Sequence, residues 1–229
     1  MYKDQVSDVF FDLDHTLWDF DKNSGLTFEK LFSDYKMDID LAGFLQAYAP
    51  INRDYWKLYR EGNIKKEELR HQRLKSTFDF LKYPVSLDLI DKLADGYIDH
   101  LSSFDHLLPD ALNILEYLKP RYRLHIITNG FQEIQDRKLN NSNIMGYFDQ
   151  VVNSEMAGVK KPDPIIFRMA LDRAGTVPQR SIMIGDDLEA DILGAKAVGF
   201  NVLHFNQDQQ ARHDHCEIIN DLYELKVYL

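Results

Sequence analysis

The stretch Val9-Phe10-Phe11-Asp12-Leu13-Asp14-His15-Thr16-Leu17 constrains this chain more than any other. An apolar run stops abruptly at two carboxylates spaced i, i+2, followed by a hydroxyl two residues later. Side chains two apart on a strand point to one face. Asp12 and Asp14 therefore converge at a strand's end, where they repel each other unless a cation lies between them. Such a tip suits Mg²⁺ and a phosphate, and the remaining motifs are judged by whether they complete it.

Val6 to Phe11 is short and apolar with no helical period, which predicts a buried strand. From about Asp21 to Phe104 the texture is helical. Asn23 or Ser24 is placed to cap a first helix running to about Tyr35. Leu41 to Arg60 carries apolar and aromatic residues at helical spacing, and Gly62 breaks that pattern. Lys65 to Phe80 resumes it, Pro84 stops it, and Ser86 caps a helix through about Leu101. Four helices with short connections predict a bundle-like insert. After Pro109 the pattern alternates. Asp110 to Leu118 reads as helix, Tyr122 to Thr128 as strand, Gln132 to Asn140 as helix and Asp149 to Asn153 as strand. Asp163 to Ala174 is helical with Pro164 near its first position. Ser181 to Gly185 reads as strand, Leu188 to Val198 as helix and Asn201 to Phe205 as a last strand, and Asp221 caps a terminal helix. Alternation of this kind predicts a parallel sheet with helices on both faces. The first strand belongs to that sheet, so the helical block interrupts an α/β domain. Its expected limits are 18–105, with the sheet domain formed by 1–17 and 106–229.

Composition narrows the function. With 229 residues the chain has ample length for a core. Its net charge of −10 argues against a nucleic-acid polymer as partner. A small anion remains compatible if a metal and local cations hold it. Cys216 is the only cysteine, so no intrachain disulfide can form, which fits a reducing compartment. No apolar leader or membrane-length window is visible. A cytoplasmic protein, monomeric or weakly dimeric and without a membrane partner, is the expectation.

Four polar pieces sit at predicted strand ends or beside them: Asp12-x-Asp14-x-Thr16, Thr128-Asn129-Gly130, Lys161-Pro162, and Gly185-Asp186-Asp187 with Asp191. Open α/β sheets bind ligands at the carboxyl ends of their strands. Each residue type has a chemical reason to be there. Mg²⁺ takes oxygen ligands, and Asp12, Asp186 and the backbone carbonyl of Asp14 supply three. Thr128 and the amides of Asn129 and Gly130 lie where a strand gives way to a helix, a setting that favours an anion. Lys161 supplies a fixed positive charge. Asp191 is placed to orient Lys161 or a metal-bound water; Asp187 and Thr16 are read as supports.

This set resembles the haloacid dehalogenase superfamily of phosphohydrolases, in order and spacing, over nearly the whole chain. The helical insert lies where that family carries its C1 cap. The resemblance implies a Rossmann-like sheet of order 5-4-1-2-3, with cap and core closing over the substrate, and Mg²⁺ as cofactor. It assigns Asp12 as the nucleophile that forms an aspartyl-phosphate, and Asp14 as the acid that protonates the leaving oxygen and then activates water. The family's dehalogenases lack this second Asp, so Asp12-Leu13-Asp14 favours a phosphatase. The first loop, Asp14 to Asp21, and the Trp56, Tyr59, Gly62, Ile64, Glu68 pattern resemble the branch of pyrimidine 5′-nucleotidases that clear noncanonical nucleotides. The implied partner is a small phosphorylated metabolite, a nucleotide first. Phosphatases of sugar or glycolate phosphates are the enzymatic alternative, and an idle phosphate-binding regulator is the alternative of another class.

Other readings compete at several positions. An EF-hand loop wants Gly at its sixth position and Glu at its twelfth, where this chain has Leu17 and Asn23. Lys160 competes with Lys161, but the family places its lysine directly before proline. Alternation turns His15 away from the carboxylates, toward packing. His213, His215 and Cys216 lack a fourth ligand for a structural metal. Tyr55 and Tyr59 share a helix face; they serve either bundle packing or a stacking wall for a flat substrate, with Trp18 and Phe20 as the alternative wall.

Overall fold

The computed structural model describes residues 2–207 and 211–229. The chain divides into two compact units, Asp21–Phe104 and the pair of segments Met1–Phe20 and Asp105–Leu229. No helix among the described residues is long and apolar enough to cross a membrane.

The helical unit holds α1 (Phe20–Asp34), α2 (Leu41–Arg60), α3 (Lys66–Phe80) and α4 (Leu87–Leu101). Two starts follow from side-chain capping. Asp40 accepts from the amides of Ala42 and Gly43, both at 3.1 Å, and Ser86 accepts from Leu89 at 3.2 Å. α1 departs from expectation. It begins at Phe20, which puts Asn23 and Ser24 inside the helix and buried. Ser24 is claimed by the Tyr97 hydroxyl at 2.9 Å, so its side chain serves the bundle interior instead of a cap. Phe28, Phe32, Phe44, Tyr48, Phe78 and Tyr97 pack ring on ring through that interior, with Phe28–Phe44, Phe28–Tyr48 and Phe32–Phe44 edge to face and the Phe28–Tyr97 and Phe44–Phe78 pairs tilted. A buried arginine is set among them. Arg73 donates to Asn52 Oδ1 at 2.9 Å and lies 4.8 Å from the Tyr97 ring centroid, and no carboxylate pairs with it among the described residues.

The other unit is a parallel sheet. Its strands are β1 (Asp8–Phe11), β2 (Arg123–Thr128), β3 (Phe148–Asn153), β4 (Ser181–Gly185), β5 (Asn201–Phe205) and β6 (Ile218–Ile219), in the order β3-β2-β1-β4-β5-β6. The class is the expected Rossmann-like one. Its order is 5-4-1-2-3 with a sixth, two-residue strand added beside β5, too short to leave any period in the sequence. The remaining helices are α5 (Ala111–Leu118), α6 (Gln132–Asn141), α7 (Ser154–Ala157), α8 (Pro164–Ala174), α9 (Gly194–Val198) and α10 (Leu225–Tyr228). The helix expected over Leu188 to Val198 is split: Leu188–Leu193 winds as a π-helical segment before α9. Phe10, Ile127, Val152, Phe167, Met183 and Phe200 belong to the buried cluster on one face of the sheet. Truncating a core Phe to Ala typically costs about 3–5 kcal/mol.

Register positions the chemistry. Phe11 lies level with Ile126 of β2 and Ile184 of β4. Asp12, Thr128 and Asp186 therefore emerge within two residues of one another along the same edge of the sheet. The opposite edge holds a separate polar cluster. The buried Asp8 carboxylate accepts from His125 Nε2 at 3.0 Å, Ser7 at 2.7 Å, Thr176 at 2.8 Å and Arg123 at 2.8 Å.

Candidate active site

β1 ends in a tight turn. The Leu13 carbonyl accepts from Leu17 and Trp18, both at 2.9 Å, while His15 adopts φ 61° and donates its amide to the Trp18 carbonyl at 3.0 Å. A left-handed conformation at a residue with a Cβ costs roughly 1–2 kcal/mol, offset here by the closed turn. His15 packs on Phe20, with ring centroids 4.9 Å apart.

Lys161 organises the carboxylates. Only 2% exposed, it places Nζ 2.5 Å from Asp12 Oδ1 and 2.6 Å from Asp191 Oδ1, and donates to the Ile127 carbonyl at 2.7 Å. Its backbone is clipped by Asn129: the side-chain amide donates to the Lys161 carbonyl at 3.0 Å, and its oxygen accepts from the Lys161 amide at 2.7 Å. Of the two candidate lysines, Lys161 is thus the one among the acids. Thr16 Oγ1 donates to Asp186 Oδ1 at 3.2 Å. Asp187 caps the π-helical segment through the amides of Glu189 and Ala190. Gly185 is a glycine because Asp191 crowds it; a Cβ there would lie 2.2 Å from Asp191 Oδ2.

The charges do not balance within the protein. Burial pushes the Asp12 carboxyl up, Lys161 pulls it down, and Asp191 and Asp186 push it up again, for a net rise well above the usual carboxylate range. Asp186 rises likewise, through lost hydration and then Asp191 and Asp187, with Lys161 and Thr16 opposing. Burial lowers Lys161, but Asp12 and Asp191 outweigh it and hold the ammonium above its ordinary range. Asp12, Asp186 and Asp191 each offer an oxygen within 4.8 Å of the others. Three acids against one lysine, all with hard oxygen donors, fit a divalent cation such as Mg²⁺. The sequence pointed to Asp14 as the third oxygen, through its carbonyl; the third carboxylate the structure brings into this cluster is Asp191.

The Asp14 side chain goes elsewhere. Gln135 Nε2 donates to Asp14 Oδ2 at 3.0 Å and Lys138 Nζ lies 2.5 Å from Asp14 Oδ1. Gln135 Nε2 also reaches Thr128 Oγ1 at 2.7 Å, and the Gly130 amide donates to that same oxygen at 3.1 Å. The Gly130 amide thus has an internal acceptor, and the Asn129 side chain is committed to the Lys161 backbone.

The aromatic candidates are engaged within the chain. Trp18 is fully buried, with Lys138 Nζ 4.1 Å from its ring centroid. Tyr59 is buried and meets Trp56 edge to face; Tyr55 is partly exposed, with its hydroxyl 2.8 Å from Ser76 Oγ.

Sequence reasoning missed Gln135, Lys138 and His204. The first two lie three residues apart on α6, one turn after Thr128-Asn129-Gly130, and that spacing is the only trace they leave. His204 Nε2 meets the Asp186 carbonyl at 2.8 Å, and its Nδ1 lies 2.7 Å from His213 Nε2. His213 Nδ1 accepts from the His215 amide at 3.2 Å. These contacts suit the tautomer in which each ring donates through Nε2. Burial, then His204 and His215, lower the His213 pKa, in keeping with that. The ring nitrogens of His204 and His213 are therefore all taken by the chain itself.

Comparison with known proteins agrees with this geometry. The model of the haloacid dehalogenase-like hydrolases matches residues 9–199. The pyrimidine 5′-nucleotidase YjjG of Escherichia coli is 33% identical over 226 residues, covering 96% of each chain. A glyceraldehyde 3-phosphate phosphatase of Methanothermobacter thermautotrophicus is 32% identical over 234 residues, covering 96% of this chain and 98% of its own. The magnesium-bound crystal structure of the HAD-hydrolase YfnB of Bacillus subtilis superposes with a TM-score of 0.87 at 26% identity, over 98% of both chains. With a family match across most of its length and the family's motif residues gathered at one sheet edge, this chain belongs to the haloacid dehalogenase-like hydrolases.

Proposed function

We propose that the chain is a Mg²⁺-dependent phosphomonoesterase acting through an aspartyl-phosphate on Asp12, with pyrimidine nucleoside 5′-monophosphates as its substrates. The observation that carries the chemistry is Lys161 held between Asp12 and Asp191, in a chain that also carries a second motif aspartate, Asp14, that a dehalogenase does not need. The Asp12 carboxylate attacks phosphorus and the bond to the leaving oxygen breaks. Asp14 gives that oxygen its proton. Asp14 then takes a proton from water, the water oxygen attacks phosphorus, and the bond to Asp12 breaks to release phosphate. Lys161 and the Thr128 hydroxyl hold the phosphoryl oxygens. Mg²⁺, held by Asp12, Asp186 and the Asp14 carbonyl, would screen the charge between nucleophile and phosphoryl group.

These groups hold only the phosphoryl half of a substrate, so selectivity has to arise outside them. Residues 18–105 are taken as the cap that supplies it. The nucleotide reading is supported by likeness to a pyrimidine 5′-nucleotidase along nearly the full chain; similarity to a glyceraldehyde 3-phosphate phosphatase keeps a sugar-phosphate substrate as the second reading. A panel of phosphomonoesters with Mg²⁺ decides. The expected result is a kcat/KM for a pyrimidine monophosphate above that for a hexose or triose phosphate by roughly 5- to 150-fold, the worth of one stacked base. A higher value for the sugar phosphate selects the second reading, and turnover of no phosphomonoester at all removes both.

A further inference from the structure

We infer that Gln135 and Lys138, on one face of α6, form a positioning pair that sets both the acid–base group and the phosphate-binding hydroxyl of this site. The inference rests on the reading of Asp14 and Thr128 given above and assigns roles to two residues outside the motif set.

Both side chains are buried, Gln135 fully and Lys138 to within 2%. Three residues apart on a helix, they share a face. Each takes one oxygen of Asp14: Gln135 Nε2 holds Oδ2 at 3.0 Å and Lys138 Nζ holds Oδ1 at 2.5 Å. A carboxylate gripped at both oxygens keeps one rotamer. Lys138 is itself fixed by rings, with Nζ 4.1 Å from the Trp18 centroid and 5.4 Å from that of Phe20. Trp18 thereby acquires a role that its full burial explains: it backs the ammonium that orients Asp14.

Gln135 does a second thing. Thr128 Oγ1 accepts from Gln135 Nε2 at 2.7 Å and from the Gly130 amide at 3.1 Å. A hydroxyl has two lone pairs and one proton. With both lone pairs taken, Thr128 can only donate, which is the polarity a phosphoryl oxygen requires. The same contact explains Gly130, where a Cβ would stand 2.2 Å from Gln135 Nε2. One amide thus ties the acid–base residue to the phosphate donor, and the glycine of the strand-end motif exists to admit it.

The two residues are separable by experiment. Lys138→Met removes the hold on Asp14 alone; Gln135→Met removes the hold on Asp14 and on Thr128. Protonation of the leaving group matters for a nucleoside leaving group and little for p-nitrophenolate. Both variants should lower kcat/KM for a pyrimidine monophosphate by about 10²-fold, the usual effect of a misplaced reacting group; for p-nitrophenyl phosphate Lys138→Met should lower it by less than about 3-fold, and Gln135→Met only by the factor by which its phosphate binding weakens. Lys138→Arg, which keeps the charge, should recover part of the loss. Inorganic phosphate, used as a competitive inhibitor, should bind more weakly to Gln135→Met and unchanged to Lys138→Met. Equal losses on the two substrates in either variant would overturn the assignment, since a merely structural defect lowers both. Unchanged phosphate inhibition in Gln135→Met would overturn the Thr128 half. Should one variant fail to fold, the other carries the leaving-group test alone. A parent protein that hydrolyses neither ester refutes the phosphomonoesterase reading instead, so the two failures are distinct.

Discussion

Three carboxylates, Asp12, Asp186 and Asp191, face one ammonium, Lys161, with their oxygens within 4.8 Å of one another. Like charges about 4 Å apart repel by roughly 4 kcal/mol in partly screened surroundings. A divalent cation held among the three carboxylates would relieve that repulsion. Mg²⁺ at a hundredfold over its Kd should stabilise the fold by about 2.7 kcal/mol, a rise in Tm of about 5–10 °C for a chain of this length. Asp186→Asn should melt higher than the parent without metal and lose the Mg²⁺ shift. A full shift in that variant would remove Asp186 from the ligand set. Asp12, Lys161 and Asp186 were legible in the sequence because each follows or faces the end of an apolar strand, and strand ends meet at one edge. Gln135, Lys138 and His204 were not, because what they do depends on which face of α6 or β5 turns toward the motifs. That is set by packing, which a local pattern does not record.

Among the elements, β4 and β5 appeared in the sequence with their true limits, Ser181–Gly185 and Asn201–Phe205, since each is a short, largely apolar run bounded by polar residues or glycine and too short for a helix. α1 was misplaced at its start because Asn23 and Ser24 look like caps until their burial among the helices is known. The Leu188–Leu193 segment hid its π-helical winding, which follows from Asp187 bonding both Asp191 and Ile192 through its carbonyl. β1 also carries, at its other end, a device with no part in the chemistry. Burial alone pushes the Asp8 carboxyl up, but hydrogen bonds from His125, Ser7, Thr176 and Arg123 outweigh it and leave the pKa far below the ordinary value. A folded-state pKa below the unfolded one means that this stabilisation is present above about pH 4, the unfolded value, and is lost as pH falls toward the folded one. Asp8→Asn should be less stable than the parent at pH 7 and should show a shallower loss of Tm between about pH 5 and pH 2. Parallel acid limbs for the two proteins would show that Asp8 is not the group responsible.

The architecture of the whole molecule was the most legible level, because an α/β alternation interrupted by eighty-odd helical residues admits few folds. What remained hidden was selectivity: Trp18 turned out to be buried beneath Lys138, and Tyr59 is buried as well. The central claim concerns the sheet edge, where Asp12 is held by Lys161 to attack phosphorus. Its most direct test is acid quenching of the protein during turnover of a pyrimidine nucleoside 5′-monophosphate with Mg²⁺, followed by peptide mass spectrometry. The account predicts a phosphoryl group on Asp12, absent from an Asp12→Asn variant that keeps its fold and lacks turnover. Phosphate on another residue, or turnover retained by Asp12→Asn, would contradict it.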